Sequence, residues 1–300
     1  MSRLQRCVAI HDLSSFGRTS LTIVIPTLSA MGIQVCPVPT AVLSTHSGNF
    51  SEYTFADLTD SMAGTFAHWK KLGLIFEGIY SGFLGSPEQV HLIVDMIKEF
   101  RRPETMVVVD PVMGDKGDFY SSIAPEMAEE MRRLVHLADV LTPNLTELFL
   151  LLDESYQPHP SLEELDAHIA RLAAYGPKRI VVTSVPGKRA DSIGCRVYDK
   201  GIFSTIESKQ YPAHYPGTGD YFTSIVTGAL MDGLTFVEAC QKAAHEVYRA
   251  IQESDASGEP SREGILLESA LQRLMQDVPV RRVAGAREGT ISRACLEGRY

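Results

Sequence analysis

The stretch His214-Tyr-Pro-Gly-Thr-Gly-Asp-Tyr-Phe222 decides how this chain is read. Pro216, Gly217 and Gly219 force an irregular turn. The mostly apolar run from Tyr221 to Met231 behind it reads as a buried helix over 218–232. Such a turn aims several backbone N–H groups at one point, none with a carbonyl behind it, and the helix dipole adds positive charge there. Gly217, Thr218 and Gly219 therefore read as an anion site. Asp220 sits inside it. Packing explains a carboxylate there poorly. A base that takes a proton from a hydroxyl attacking phosphorus explains it well.

Outward from this turn, short apolar runs alternate with amphipathic stretches. Strands are expected at 7–10, 34–38, 78–81, 106–110, 139–141 and 180–183. Helices are expected near 19–31, 54–70, 87–101, 124–136, 161–175 and 218–232. This rhythm predicts an α/β fold with a mostly parallel central sheet and helices on both faces. The segment 195–204 alternates around Asp199-Lys200-Gly201 and predicts an edge hairpin. One large domain over 1–278 suits the 300-residue length. Residues 279–300 are expected to form a basic, loosely ordered tail: from Arg281 on there are five arginines against two glutamates, with Gly285, Gly289 and Gly298 between them.

Composition narrows the class. A 44% hydrophobic, 22% charged chain is an ordinary soluble balance. The net charge of −9 argues against a nucleic-acid partner, so an anionic substrate needs a local positive site and a metal ion. No apolar run reaches the ~18 residues of a membrane span. The start, Met1-Ser-Arg-Leu-Gln-Arg6, lacks the apolar core of a signal peptide. Five scattered cysteines with no Cys-x-x-Cys pair predict buried thiols in a reducing cytoplasm and no zinc site.

In open sheets of this kind, ligands bind beyond the carboxyl ends of the strands. Asp110 stands where an apolar strand stops at Pro111, with Asp115 five residues on. The pair suits a hard, oxygen-ligated cation such as Mg²⁺, or else a simple turn. Asn144 and Glu147 follow the next strand. They read as a capping box, or as holders of a metal-bound water or of phosphate oxygens. Thr183 and Ser184 end a third strand with two hydroxyls suited to phosphate. His46 lies in a polar loop after the second strand, where it either meets substrate or is solvated. Walker-type, dinucleotide and nucleophile-elbow motifs are absent.

Four motifs occur in order: Asp-Pro-Val-Met-Gly-Asp at 110–115, Thr-Pro-Asn-x-x-Glu at 142–147, Thr-Ser at 183–184 and Gly-Thr-Gly-Asp at 217–220. Together they resemble the pyridoxal kinase branch of the ribokinase-like superfamily. The Thr45-His46-Ser47-Gly48 loop resembles that branch's Asn-His-Thr-Gly stretch. The resemblance runs from Cys7 to about Leu274. It implies a three-layer ribokinase-like sandwich, usually homodimeric and cytoplasmic. The implied activity is transfer of phosphate from Mg-ATP, often with K⁺ assistance, to the 5′-hydroxyl of a B6 vitamer.

By the same resemblance, Asp220 is the base and Gly217, Thr218 and Gly219 form the anion hole. Asp110 and Glu147 organise Mg²⁺, while Asp115, Tyr120, Asn144, Thr183 and Ser184 serve ATP phosphates or their ions. Ser47 reaches the pyridine ring. Two positions depart from the pattern. Asp12 stands where a ring-contacting serine is expected, and Phe83 stands where a ring-stacking tyrosine is expected. Asp12 is then expected either to read the 4-substituent of the vitamer, favouring pyridoxamine, or to cap the turn after the first strand. The related hydroxymethylpyrimidine kinases carry a cysteine at the place of Asp220. That enzyme is the alternative, with a catalytically silent vitamin-binding protein as another.

Overall fold

A computed structural model describes residues 4–48 and 50–277. The expected tail at 279–300 lies outside the described residues. A nine-stranded sheet forms the middle layer. From one edge its strands are β11 (Ile202–Lys209), β10 (Ser192–Asp199), β9 (Arg179–Pro186), β8 (Val140–Leu141), β5 (Met106–Val109), β4 (Gly78–Ser81), β1 (Arg6–Ser14), β2 (Gln34–Leu43) and β3 (Phe55–Asp57). The six strands from β9 to β2 run parallel. β10, β11 and β3 add antiparallel edges. A separate two-stranded ribbon pairs β6 (Gly114–Asp115) with β7 (Asp118–Phe119).

The parallel strands are apolar because both faces are covered. Successive side chains point to opposite faces, so each strand feeds two cores. Val8, Ile10, Ile79, Val107 and Val109 enter one core. Cys7, Ala9, Tyr80 and Val108 enter the other. The first core is closed by α2 (Thr59–Leu72), α3 (Pro87–Phe100), α4 (Met127–Val135), α5 (Leu145–Leu152) and α6 (Leu162–Ala173). The second is closed by α1 (Leu21–Ala30), α7 (Thr218–Met231), α8 (Phe236–Ser257) and α9 (Leu267–Asp277). Arg273 ties α9 to α8. It reaches the buried Glu246 at 3.4 Å and also pairs with Glu253.

The expected three layers, strand set and edge hairpin are all present. Three details differ. The helix expected from 54 starts only at Thr59, because Phe55–Asp57 pairs with β2 and the Asp57 carboxylate accepts the Thr59 N–H at 2.8 Å. α5, α8 and α9 were not among the expected helices. The strand expected to stop at 183 runs on to Pro186. It does so through a bulge: Val182 pairs with Arg196 and Val185 with Gly194, so Thr183 and Ser184 together oppose Cys195. Ser184 takes φ 59° there, and a bulge of this kind re-aims the side chains it carries. Cys7, Cys195 and Cys240 are buried free thiols, as expected, whereas Cys36 is a free thiol only half-buried, and Cys295 lies outside the described residues. Among the described residues no helix is long and apolar enough to cross a membrane.

Candidate active site

The site lies beyond the carboxyl ends of β1, β5, β8 and β9, against the first turn of α7. Gly217 is the N-cap of α7 with φ 81°, and no side chain caps the helix. A Cβ at Gly217 would stand 2.3 Å from the Arg18 carbonyl oxygen and 2.4 Å from Ile23 Cδ1, so the turn can approach α1 only as glycine. The Thr218 hydroxyl is turned back to the Tyr215 carbonyl at 3.1 Å, which leaves the first-turn N–H groups facing outward.

Asp220 sits on that turn with 14% of its side chain exposed. Its Oδ2 accepts the Ser20 backbone N–H at 2.8 Å. Its Oδ1 is 3.9 Å from Nδ1 of His11, a fully buried ring whose two nitrogens make no hydrogen bond among the described residues. Burial pushes the Asp220 carboxyl up to about 7. The Ser20 N–H opposes the shift and the Asp12 charge adds to it. Burial pushes His11 down to about 3, so it is neutral and supplies no countercharge. A carboxylate titrating near neutrality is matched to general-base work.

Asp110 follows β5 and is 6% exposed. The Thr223 hydroxyl, one turn along α7 from Asp220, donates to it at 3.3 Å and also contacts the Thr142 hydroxyl at 3.0 Å. Burial and then the Asp220 charge raise the Asp110 carboxyl. Glu147 is 3% exposed. Its two oxygens accept the N–H groups of Met113 (3.1 Å) and Asn144 (2.8 Å). Asn144 Oδ1 accepts the Glu147 N–H in return, completing the capping box of α5. Burial, then Asp110, raises Glu147. Capping is thus what holds the Glu147 carboxylate near Asp110. Two buried carboxylates that repel one another suit a hard cation, which would relieve both. Among the described residues no three metal-ligating side chains form a closed cage, so such an ion would lean on water and phosphate as well.

Asn144 Nδ2 donates to the Gly114 carbonyl at 2.8 Å, anchoring the β6–β7 ribbon that carries Asp115. The Asp115 carboxylate accepts the Lys116 N–H at 2.9 Å. The half-buried Tyr120 donates its N–H to the Met113 carbonyl at 2.9 Å, and its phenol is raised by burial and then by Glu147. The Thr183 N–H reaches the Pro143 carbonyl at 2.9 Å, drawing the bulge toward Asn144. Ser184 is exposed.

The substrate-side residues fall less tightly together. His46 is 5% exposed and hydrogen-bonds the Arg262 carbonyl at 2.7 Å, with its ring edge on Phe50. Ser47 is half-buried beside it. The Phe83 ring, 9% exposed, packs into the first core. Asp12 is 6% exposed, and both its oxygens are engaged, by Ser20 and by Ser14. His11, Ser20 and Thr223 escaped the sequence reading, and Thr142 was read only as the head of its motif, without a role. Of the three that escaped, Thr223 had a legible signal, since it lies three residues along the same helix from Asp220.

The back of the turn is sealed by residues 263–268. The Arg18 N–H donates to the Glu263 carbonyl at 2.8 Å, and the Arg18 guanidinium pairs with Glu268 at 3.1 Å. A Cβ at Gly264 would lie 2.6 Å from the Arg18 carbonyl oxygen that Gly217 also approaches.

This fold and this constellation define a phosphotransferase of the ribokinase-like type. The chain belongs to the phosphomethylpyrimidine kinase family, which matches it over residues 25–263. A Bacteroides thetaiotaomicron protein named for phosphomethylpyrimidine kinase is 45% identical, with a TM-score of 0.88 over 93% of this chain and 98% of its own, in a crystal form solved with pyridoxal. Pyridoxal kinase from Lactobacillus plantarum is 32% identical, with a TM-score of 0.84 over 91% of this chain and 98% of its own. The pyridoxine/pyridoxal/pyridoxamine kinase of Bordetella bronchiseptica is 28% identical over 262 residues, covering 84% of this chain and 90% of its own length.

Proposed function

We propose that the chain transfers the γ-phosphoryl group of ATP to the 5′-hydroxymethyl group of a B6 vitamer. The observation that carries this reading is Asp220. One carboxylate oxygen is tied down by the Ser20 N–H, and the other lies 3.9 Å from the neutral His11 ring, with the carboxylate carried on the first turn of α7. Asp220 takes the proton of the vitamer hydroxyl as its oxygen bonds to phosphorus. The bond from phosphorus to the bridging oxygen breaks, and ADP leaves. The turn 217–219 holds the charge that spreads over the transferring group. Asp110 and Glu147, partly through water, would hold Mg²⁺, which would neutralise phosphate charge when bound. Asp115, Tyr120, Asn144, Thr183 and Ser184 frame the nucleotide side. His46, Ser47 and Phe83 frame the vitamer side. Relatives that carry pyridoxal or are named pyridoxal kinases support this choice over hydroxymethylpyrimidine, as does an aspartate in place of cysteine at 220.

The test is product formation from ATP with pyridoxal, pyridoxine, pyridoxamine and hydroxymethylpyrimidine, followed by mass spectrometry. Phosphorylated vitamers that vanish in Asp220→Asn are expected. Turnover of hydroxymethylpyrimidine alone would overturn the substrate assignment. Binding of a vitamer without turnover would mean a silent binding protein.

A further inference from the structure

Ser20 does two things that a serine at a helix start does not ordinarily do. It is the N-cap of α1, where a serine hydroxyl usually accepts a backbone N–H of the first turn. Here no side-chain cap bond forms. The hydroxyl instead donates to Asp12 Oδ1 at 2.5 Å. Its backbone stands at φ 50°, ψ −130°, a region that glycine enters freely and serine rarely. Ser20 is nevertheless 8% exposed and well fixed, its carbonyl accepting the N–H groups of Ile23 and Val24 at 2.9 Å. The result of this unusual posture is a single N–H aimed at Asp220 Oδ2.

Asp12 is what holds the posture. Its second oxygen accepts the Ser14 hydroxyl at 3.2 Å, so the carboxylate is braced within β1 and committed on both sides. Resting on the assignment of Asp220 as the base, we propose that Asp12 is a positioning residue. It fixes Ser20 so that the Ser20 N–H occupies one oxygen of Asp220 and leaves the other to the substrate hydroxyl. On this view Asp12 does not read the vitamer ring.

The test compares kcat and KM for pyridoxal, pyridoxine and pyridoxamine in Asp12→Ala, Asp12→Asn and the double variant Asp12→Ala/Ser20→Gly, with Asp220→Asn measured alongside. Asp12→Ala is expected to lower kcat about tenfold or more, by the same factor for all three vitamers, with KM nearly unmoved, because only the alignment of the base is lost. Ser20→Gly is expected to restore kcat to within about threefold, since glycine takes φ 50° without a brace. Asp12→Asn keeps an acceptor for Ser20 and the volume of the buried site. It is expected to fold and to stay within about threefold of wild type on every vitamer. A selective loss of pyridoxamine turnover in Asp12→Asn would overturn the proposal, because a lost charge-assisted contact marks a residue that reads substrate. Failure of Ser20→Gly to rescue a folded Asp12→Ala protein would overturn it too. If Asp220→Asn keeps its turnover, the base assignment itself falls. If only the Asp12 results go the other way, that assignment stands without the clamp.

Discussion

Replacing Asp220 with asparagine should make the protein both inactive and more stable. In the folded chain the carboxyl is pushed from 3.8 to about 7, mainly by burial. The sign follows directly. Folding favours the protonated form, so the native state bears a cost wherever this group must ionise. The cost is absent below about pH 4, grows through the interval up to 7, and is complete above it. A shift of about three units corresponds to about 4 kcal/mol at most, at roughly 1.36 kcal/mol per unit, and relaxation brings the expected figure to about 2–4 kcal/mol. Asparagine has the same shape. Its Oδ1 can still accept the Ser20 N–H, and its amide can donate toward His11. Urea unfolding of the two proteins at pH 5 and pH 8, without nucleotide or divalent cation, checks the idea. The variant should gain at pH 8 and gain much less at pH 5, while its turnover drops by about 10²-fold or more. An equal gain at both pH values, or none, would refute the claim that the charge is held at a cost. Such a cost is what a site tuned for activity rather than stability shows.

Three other outcomes are expected. Asp110→Ala and Glu147→Gln should each raise the Mg²⁺ concentration needed for half-maximal turnover; titrations that overlay wild type would reduce both to turn and capping residues. Gly217→Ala should cost more than about 2 kcal/mol in chemical denaturation and abolish activity, since its Cβ has no room against Arg18 and Ile23 and its φ is 81°. Arg273→Ala leaves Glu246, 3% exposed, without its countercharge and should cost about 3 kcal/mol in denaturant, with Glu246→Gln added to the same chain recovering part of it.

The sheet was legible because buried parallel strands are runs of apolar residues that stop at polar clusters. Gly78–Ser81 matches its expected bounds, and the others differ mainly at their ends. The acids Asp110, Glu147 and Asp220 were legible because each is chemically out of place next to an apolar run. What connects them was not. The Ser20–Asp220 bond spans 200 residues of sequence and uses a backbone N–H, which leaves no mark on residue identity. The resemblance set Asp12 against the substrate, with a turn cap as the alternative, and neither reading reached the serines that close on it from two and eight positions away. The bulge at Thr183 and Ser184 was read as a strand end, since hydroxyl residues signal both.

The seal on Arg18 has a consequence for synthesis. The turn behind the anion site is closed by residues 263 to 268, so a chain emerging from the ribosome carries β1, the Ser20 posture and eventually Asp220 before the residues that seal Arg18 from behind. Long-range closure of this kind comes late and slowly. The nascent protein therefore remains a scaffold without a closed centre until residues 263 to 268 have left the exit tunnel.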